Sequence, residues 1–501
     1  MGAPAHCCAR RAGRRQPPPP PTPPQPPGNA NRYSEQAIRT AAYGPRPLAD
    51  APAGALVVEV GHDIEQLVEN VGAGGTVFVR AGIHRLTDTL NIPDGVTIIG
   101  EHNGRFGAVL TGAESISDRL SPQRQGSLFV FEQVAPAASF DRSAHRQYCE
   151  HDSPGCHLPE QFFLDGVQYR QVATVDAVKR GTFHLDPSTR KLTVADDPRG
   201  RRAEYSRLSP LVRFGRNVVM DNLTFQRAAG ALFVTAVGGA AHASDVTITN
   251  SAFRQIAGAA VGLPSNATMR GSVISEAGQV GLKAVGVGNV VVENNLLTDS
   301  NVDGWRWVHE AGATKFVDST DVTVRGNWFR DNQGAGLWSD ADNVDHLFEH
   351  NLATGNTGAA VFYEISRNAV IRHNIIRNND HDGLVVSNSH DVVVTGNQLS
   401  GNRSAIVLVH RICRGSDTPG RAANWYLSNV AVEHNTIEQR SRASSQGWPM
   451  GKAIVHNVEP GPTPCSIPYA ADRGRWSVED WYRRSNVGFH GNTHRLSGDP
   501  G

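Results

Sequence analysis

Val290-Val-Val-Glu-Asn-Asn295, Val322-Thr-Val-Arg-Gly-Asn327, Val392-Val-Val-Thr-Gly-Asn397 and Val430-Ala-Val-Glu-His-Asn435 are four readings of one template: apolar, any, apolar, polar, small or polar, Asn. Phe348 to Asn351 and Ile371 to Asn374 fit it with a weaker first position, and Ser251 and Ser272 end two more copies with serine. From 251 to 397 the last position advances by 21, 23, 32, 24, 23 and 23 residues, then by 38 to Asn435. A period near 23 broken by two insertions is the arithmetic of a coil of three short strands. One such coil cannot bury its Val/Ile face alone, whereas stacked coils can. The expected fold is all-β: a single-stranded right-handed parallel β-helix. Asparagine is expected at the coil corner because it tolerates left-handed backbone, and its amide can bond the coils on either side.

Working outward, Asp63 and Gln66 frame a short helix with Ile64, Leu67, Val68 and Val71 on one face, placed to cover the open N-terminal edge of the stack. Residues 120–206 break the period and read as a small β insertion. The Arg-rich head and the proline tract Pro17 to Pro27 cannot bury enough apolar surface to order themselves. The expected division is a disordered Arg/Pro-rich segment (1–52), a cap with the first coils (53–119), the insertion (120–206) and the main β-helix (207–500).

The 501 residues carry 48 basic and 48 acidic side chains, so no net positive field exists to hold nucleic acid. No apolar run reaches the ~18 residues of a membrane span. Only five of the basic residues are lysines, Lys283 and Lys315 among them. Cys149 with Cys156 and Cys413 with Cys465 suit two loop disulfides of a secreted or cell-surface protein, although no signal peptide is readable in the given N-terminus. A monomer is expected.

The Asn-bearing coils and the N-terminal cap resemble the right-handed parallel β-helix superfamily of pectate lyases, polygalacturonases and related proteins. A narrower likeness is to uncharacterised, mostly exported β-helix repeat proteins. It rests on Glu310-Ala-Gly-Ala-Thr-Lys315-Phe316, Gly336-Leu-Trp-Ser-Asp340-Ala-Asp342-Asn343, Phe362-Tyr-Glu364-Ile-Ser366, and Cys156 through Phe163-Leu-Asp-Gly166 to Asp196-Asp197-Pro198. The superfamily implies the fold and a polysaccharide partner, and it contains several reactions.

Stacking puts equivalent residues in rows along the rod. Counting along the strands aligns Leu337, Val361 and Leu384, then Trp338 with Phe362 and Asp340 with Glu364, with Lys315 and Lys283 one and two coils earlier. The two insertions carrying Trp305, Trp307, His309, His410, Arg411, Trp425 and Tyr426 flank this face. Aromatic faces among charges suit a sugar chain, so Trp305, Trp307, Trp338, Tyr363, Arg367, His410 and Arg411 are expected to bind substrate. Two chemistries use the same charges. A β-eliminating lyase needs a base, Lys315 or Lys283, and a cation against the uronate, which Asp340, Asp342, Asn343 and Glu364 would supply as Ca²⁺ ligands. An inverting hydrolase needs a carboxyl pair, Asp340 and Glu364. His309, His350 and His373 are candidate proton shuttles. A passive glycan-binding or structural rod uses the same ladders without chemistry.

Overall fold

The computed structural model describes residues 30–497 apart from 138–139, 142, 233, 413–426, 441, 444–448, 451 and 461–484. Each coil lays one strand on each of three faces. Gly288–Glu293 lies on the first face, Leu296–Thr298 on the second and Gly312–Val317 on the third, and the chain then returns to the first face at Thr320–Arg325. Among the described residues the three parallel sheets have 13, 12 and 11 strands. The repeated Val/Ile/Leu positions point inward and merge into one core, at ~1.5–3 kcal/mol for each fully buried side chain.

Asparagine ladders run along the corners. Between the first and second faces, Asn295, Asn327, Asn351, Asn374, Asn397 and Asn435 each donate an amide N–H to the side-chain oxygen of the next, ending at Asn492, at 2.9–3.1 Å. The other amide hydrogen goes to a carbonyl one coil back, as from Asn351 to Val324 at 2.9 Å. A second ladder, Asn332 to Asn402, runs along the next corner. Asn343 stands with serines 319, 366 and 389 in a third. The ladder asparagines are not the left-handed residues expected at the corner. That conformation belongs to the residue before each: Asn294, Gly326, His350, His373, Gly396, His434 and Gly491, with φ between 53° and 65°.

The N-terminal cap is helix α2 (Ile64–Glu69), where Asp63 accepts from the Gln66 N–H at 2.9 Å and Ile64 and Val68 join the core. Residues 30–52, expected within the disordered segment, instead form a strap on the rod. Helix α1 (Glu35–Thr40) buries Ile38 against Trp328 and Leu352. The Arg46 backbone gives and receives hydrogen bonds with the Asn222 amide at 2.6 and 2.9 Å. Composition flagged the proline tract but not the partners of this strap, which lie far along the chain.

The insertion spans Ala113–Ser206, slightly wider than expected, as an eight-stranded, mostly antiparallel sheet with its own aromatic core. The rod closes its register across it: Leu223–Gln226 pairs directly with Ala108–Thr111. The insertion docks on the 301–311 loop through Glu150 N–H to Gly304 C=O at 2.9 Å and Arg306 N–H to Tyr148 C=O at 2.8 Å. The Cys149–Cys156 disulfide packs there beside Trp305. Cys413 and Cys465 lie outside the described residues.

Candidate active site on the third face

Alternation along a strand decides which side chains face out. On the third face Leu282, Phe316, Leu337 and Val361 enter the core, so Lys283, Lys315, Trp338 and Phe362 share one outward row. Lys283 pairs in register with Lys315, and Asp340 with Glu364, as the sequence suggested. Towards the N-terminal end the row continues through Gly262 and Gly238 to the exposed Arg213.

Those glycines matter because they leave the outer surface open. A Cβ on Gly262 would come within 2.9 Å of the Thr235 methyl. The result is a groove of about 490 Å³ along Gly238, Gly262 and Pro264, with Lys283 at its wall. Burial pushes Lys283 below its ordinary value, only partly opposed by the charge of Glu310. Glu310 is pushed up by burial, with Lys315 opposing and Asp340 reinforcing the shift.

Lys315 is held differently. Its side chain is 2% exposed, with Nζ 2.7 Å from Asp340 Oδ2, 4.0 Å from Glu310 Oε1 and 3.2 Å above the centre of the Trp338 ring. Trp338 stacks on Phe362 at 5.4 Å, and Trp307 meets both Trp338 and His381 edge-on. Asp382, ion-paired to Arg403, lies beside His381, whose value burial lowers to about 4. The arrangement offers an open groove with Lys283, lowered by burial, at its wall, and behind it a carboxyl raised by burial and a second lysine ion-paired to Asp340.

Several expected site residues serve the scaffold instead. Tyr363 lies between two outward residues, so it faces inward, where its hydroxyl donates to the Arg367 carbonyl at 2.7 Å. Arg367 itself starts a first-face strand and is not on this face. Trp305 is 1% exposed beneath the insertion, clasped by the Asn301 amide at 2.7 and 2.8 Å. Trp338 faces outward but is covered, which leaves Trp307 as the partly exposed tryptophan of the group. His410 is buried and accepts from the Leu427 N–H. Arg411 lies in a third-face strand, but its side chain, like Trp425 and Tyr426, is outside the described residues.

His309 rests against Tyr148 of the insertion, and burial lowers it. His350 and His373 stack on each other at left-handed corners, away from this face. Asn343 spends its amide on the Phe316 and Asp340 carbonyls and the Ser366 hydroxyl. Asp340 is engaged by Lys315, Glu364 accepts from the Ser387 hydroxyl, and no three acidic, His or Cys side chains converge on one point among the described residues. The set expected to hold Ca²⁺ therefore does not fit a calcium cage.

Sequence reading missed the raised carboxyl of Glu310, and missed Arg213 and the glycine floor. Stepping back one coil at a time from Lys283 would have reached Gly262, Gly238 and Arg213.

The family described as right handed beta helix region matches residues 211–367 and 339–458. With the three stacked parallel sheets, this makes the chain a right-handed parallel β-helix protein. The structure of XylC with xylose is 12% identical, covers 87% of this chain and 81% of its own, and superposes with a TM-score of 0.62. The Azotobacter vinelandii mannuronan C-5 epimerase AlgE6 A-module is 16% identical over 88% of this chain and 97% of its own, with a TM-score of 0.44. PfbA, a surface adhesin of Streptococcus pneumoniae, is 12% identical over 89% and 91%, with a TM-score of 0.45. No curated protein matches in sequence.

Proposed function

We propose that the chain is an exported, polysaccharide-active enzyme that cleaves a uronic-acid polymer by β-elimination in the third-face groove. The observation that carries this reading is Lys283: a lysine partly buried and lowered by that burial, at the wall of an open groove, within the field of a raised carboxyl. In this reading Lys283 Nζ removes the C5 proton of the bound uronate. The electron pair forms the C4=C5 bond as the C4–O4 bond breaks, and O4 takes its proton from Glu310. Lys315, tied to Asp340, positions Glu310 rather than acting as the base. The Cys149–Cys156 disulfide supports export.

A hydrolase built on Asp340 and Glu364 is less well supported, because Asp340 is committed to Lys315. Alginate, pectate and glycosaminoglycans, each tested with and without added Ca²⁺, separate the readings. Elimination gives the absorbance of an unsaturated product, lost in Lys283→Ala. Reducing ends without that absorbance would move the assignment to hydrolysis, and binding without turnover would move it to a passive rod.

A further inference from the structure

A second cavity lies along the corner between the first and second faces, under the N-terminal strap, and the groove chemistry makes no use of it. It encloses about 520 Å³, and its lining includes Arg32, Arg46 and Arg270 but only one carboxylate, Asp221. Behind the wall, Glu293 already takes Arg32 at 2.6 Å, Arg325 at 3.3 Å, Arg270 at 3.8 Å and the Tyr33 hydroxyl at 2.6 Å. One carboxylate cannot saturate three guanidiniums, each with five N–H donors. Arg46 adds a fourth, and its head group has one long bond, 3.4 Å to the Ala42 carbonyl.

The arginine side chains are exposed along the cavity, and the Arg46 main chain is fixed in place. The Asn222 amide clamps the Arg46 backbone from both sides, and Gly271 keeps the space beneath open: a Cβ there would lie 3.4 Å from Arg46 Nη2. The opposite wall supplies groups suited to hydroxyls. Asp221 already accepts from Thr249 and Asn250, which fixes its carboxylate towards the corner, and Asn294 stands one coil beyond Gly271.

We infer that this cavity is a binding site for an acidic sugar residue, with Arg46 and Arg270 on its carboxylate and the Asp221 wall on its hydroxyls. Guanidinium pairs match a planar carboxylate, and the volume admits a saccharide unit where a bare inorganic anion would leave most of the cavity empty. The site lies at a different corner from the Lys283 groove and does not depend on the proposed reaction.

Calorimetric titration of the full chain with glucuronate, glucose and sodium sulfate tests it, using wild type, Arg46→Gln, Arg270→Gln and Lys283→Ala. Arg46→Gln keeps the strap in place because Asn222 holds only its backbone, and unchanged thermal unfolding verifies this. The expected result is saturable glucuronate binding at least tenfold tighter than glucose or sulfate. It should weaken at least tenfold in either arginine variant and persist in Lys283→Ala. Three results would each overturn the assignment: no saturable glucuronate binding, sulfate binding as tightly, or loss in Lys283→Ala with retention in the arginine variants.

Discussion

Lys283 and Lys315 occupy adjacent rungs of one row, yet their surroundings differ in kind. Lys315 is sealed between Asp340 and the Trp338 face. Replacing it by methionine keeps the volume but leaves Asp340 without its partner; Asp340 is 23% exposed, so water offsets part of the loss. Chemical denaturation should show Lys315→Met destabilised by about 2 kcal/mol, with Lys315→Met/Asp340→Asn recovering part of that. Lys283 faces the groove, and its loss should spare the fold and remove turnover. If the amine must be neutral and Glu310 protonated, kcat/KM is bell-shaped. Its acid limb then belongs to Glu310, raised above the ordinary 4.5, and its alkaline limb to Lys283, lowered below the ordinary 10.5. Glu310→Gln should turn the residual activity into a single rising curve. A bell that survives this substitution would remove Glu310 from the mechanism.

At the level of the coil, the asparagine ladder is both the most legible feature and a mechanical one. Asn351 Oδ1 accepts from the Asn327 backbone and side chain at 3.0 and 3.1 Å, and its own amide reaches Val324 and Asn374. Alanine there strands buried donors on Asn327, so Asn351→Ala should lose about 3 kcal/mol in urea denaturation. Asn351→Ser should lose less, since serines already hold rungs at 251 and 272. The period was readable because every coil repeats this one bonding need. The register of the third face followed from counting, and the same counting, carried one step further, places Tyr363 inside. The burial of Trp305 and Trp338 was not readable, because it depends on how the insertion and the 301–311 loop fold back over the rod. The strap was hidden for a similar reason: its anchors, Asn222, Glu293 and Trp328, are distant in sequence and belong to no motif.

Across the whole molecule, burial has made several histidines poor bases, and this sets how the rod responds to acid. His346 sits inside the coil stack between the Ser339 hydroxyl and the Ser319 carbonyl, and burial lowers it to about 3. Burial also lowers His381 and His410 to about 4 each. In the unfolded chain all three take up protons near the ordinary 6.5, while the folded state keeps them neutral. Their stabilising contribution is therefore complete above that value and drains away as the pH falls towards 4. Each costs ~1.4 kcal/mol per pH unit in that window. Asp303 works in the opposite sense. Burial raises it to about 7 against the opposing charge of Arg170, so the folded state binds a proton that the unfolded chain, near 3.8, releases. It offsets about one of the three histidines, so these four groups together contribute a slope of ~3 kcal/mol per pH unit between about 6.5 and 4. Thermal unfolding followed across that range should therefore show a steep fall in midpoint. His346→Leu should flatten the dependence by about one proton, and Asp303→Asn should steepen it by as much. A midpoint independent of pH from 6.5 to 4 in the wild type would mean that these histidines are hydrated and titrate normally in the folded rod.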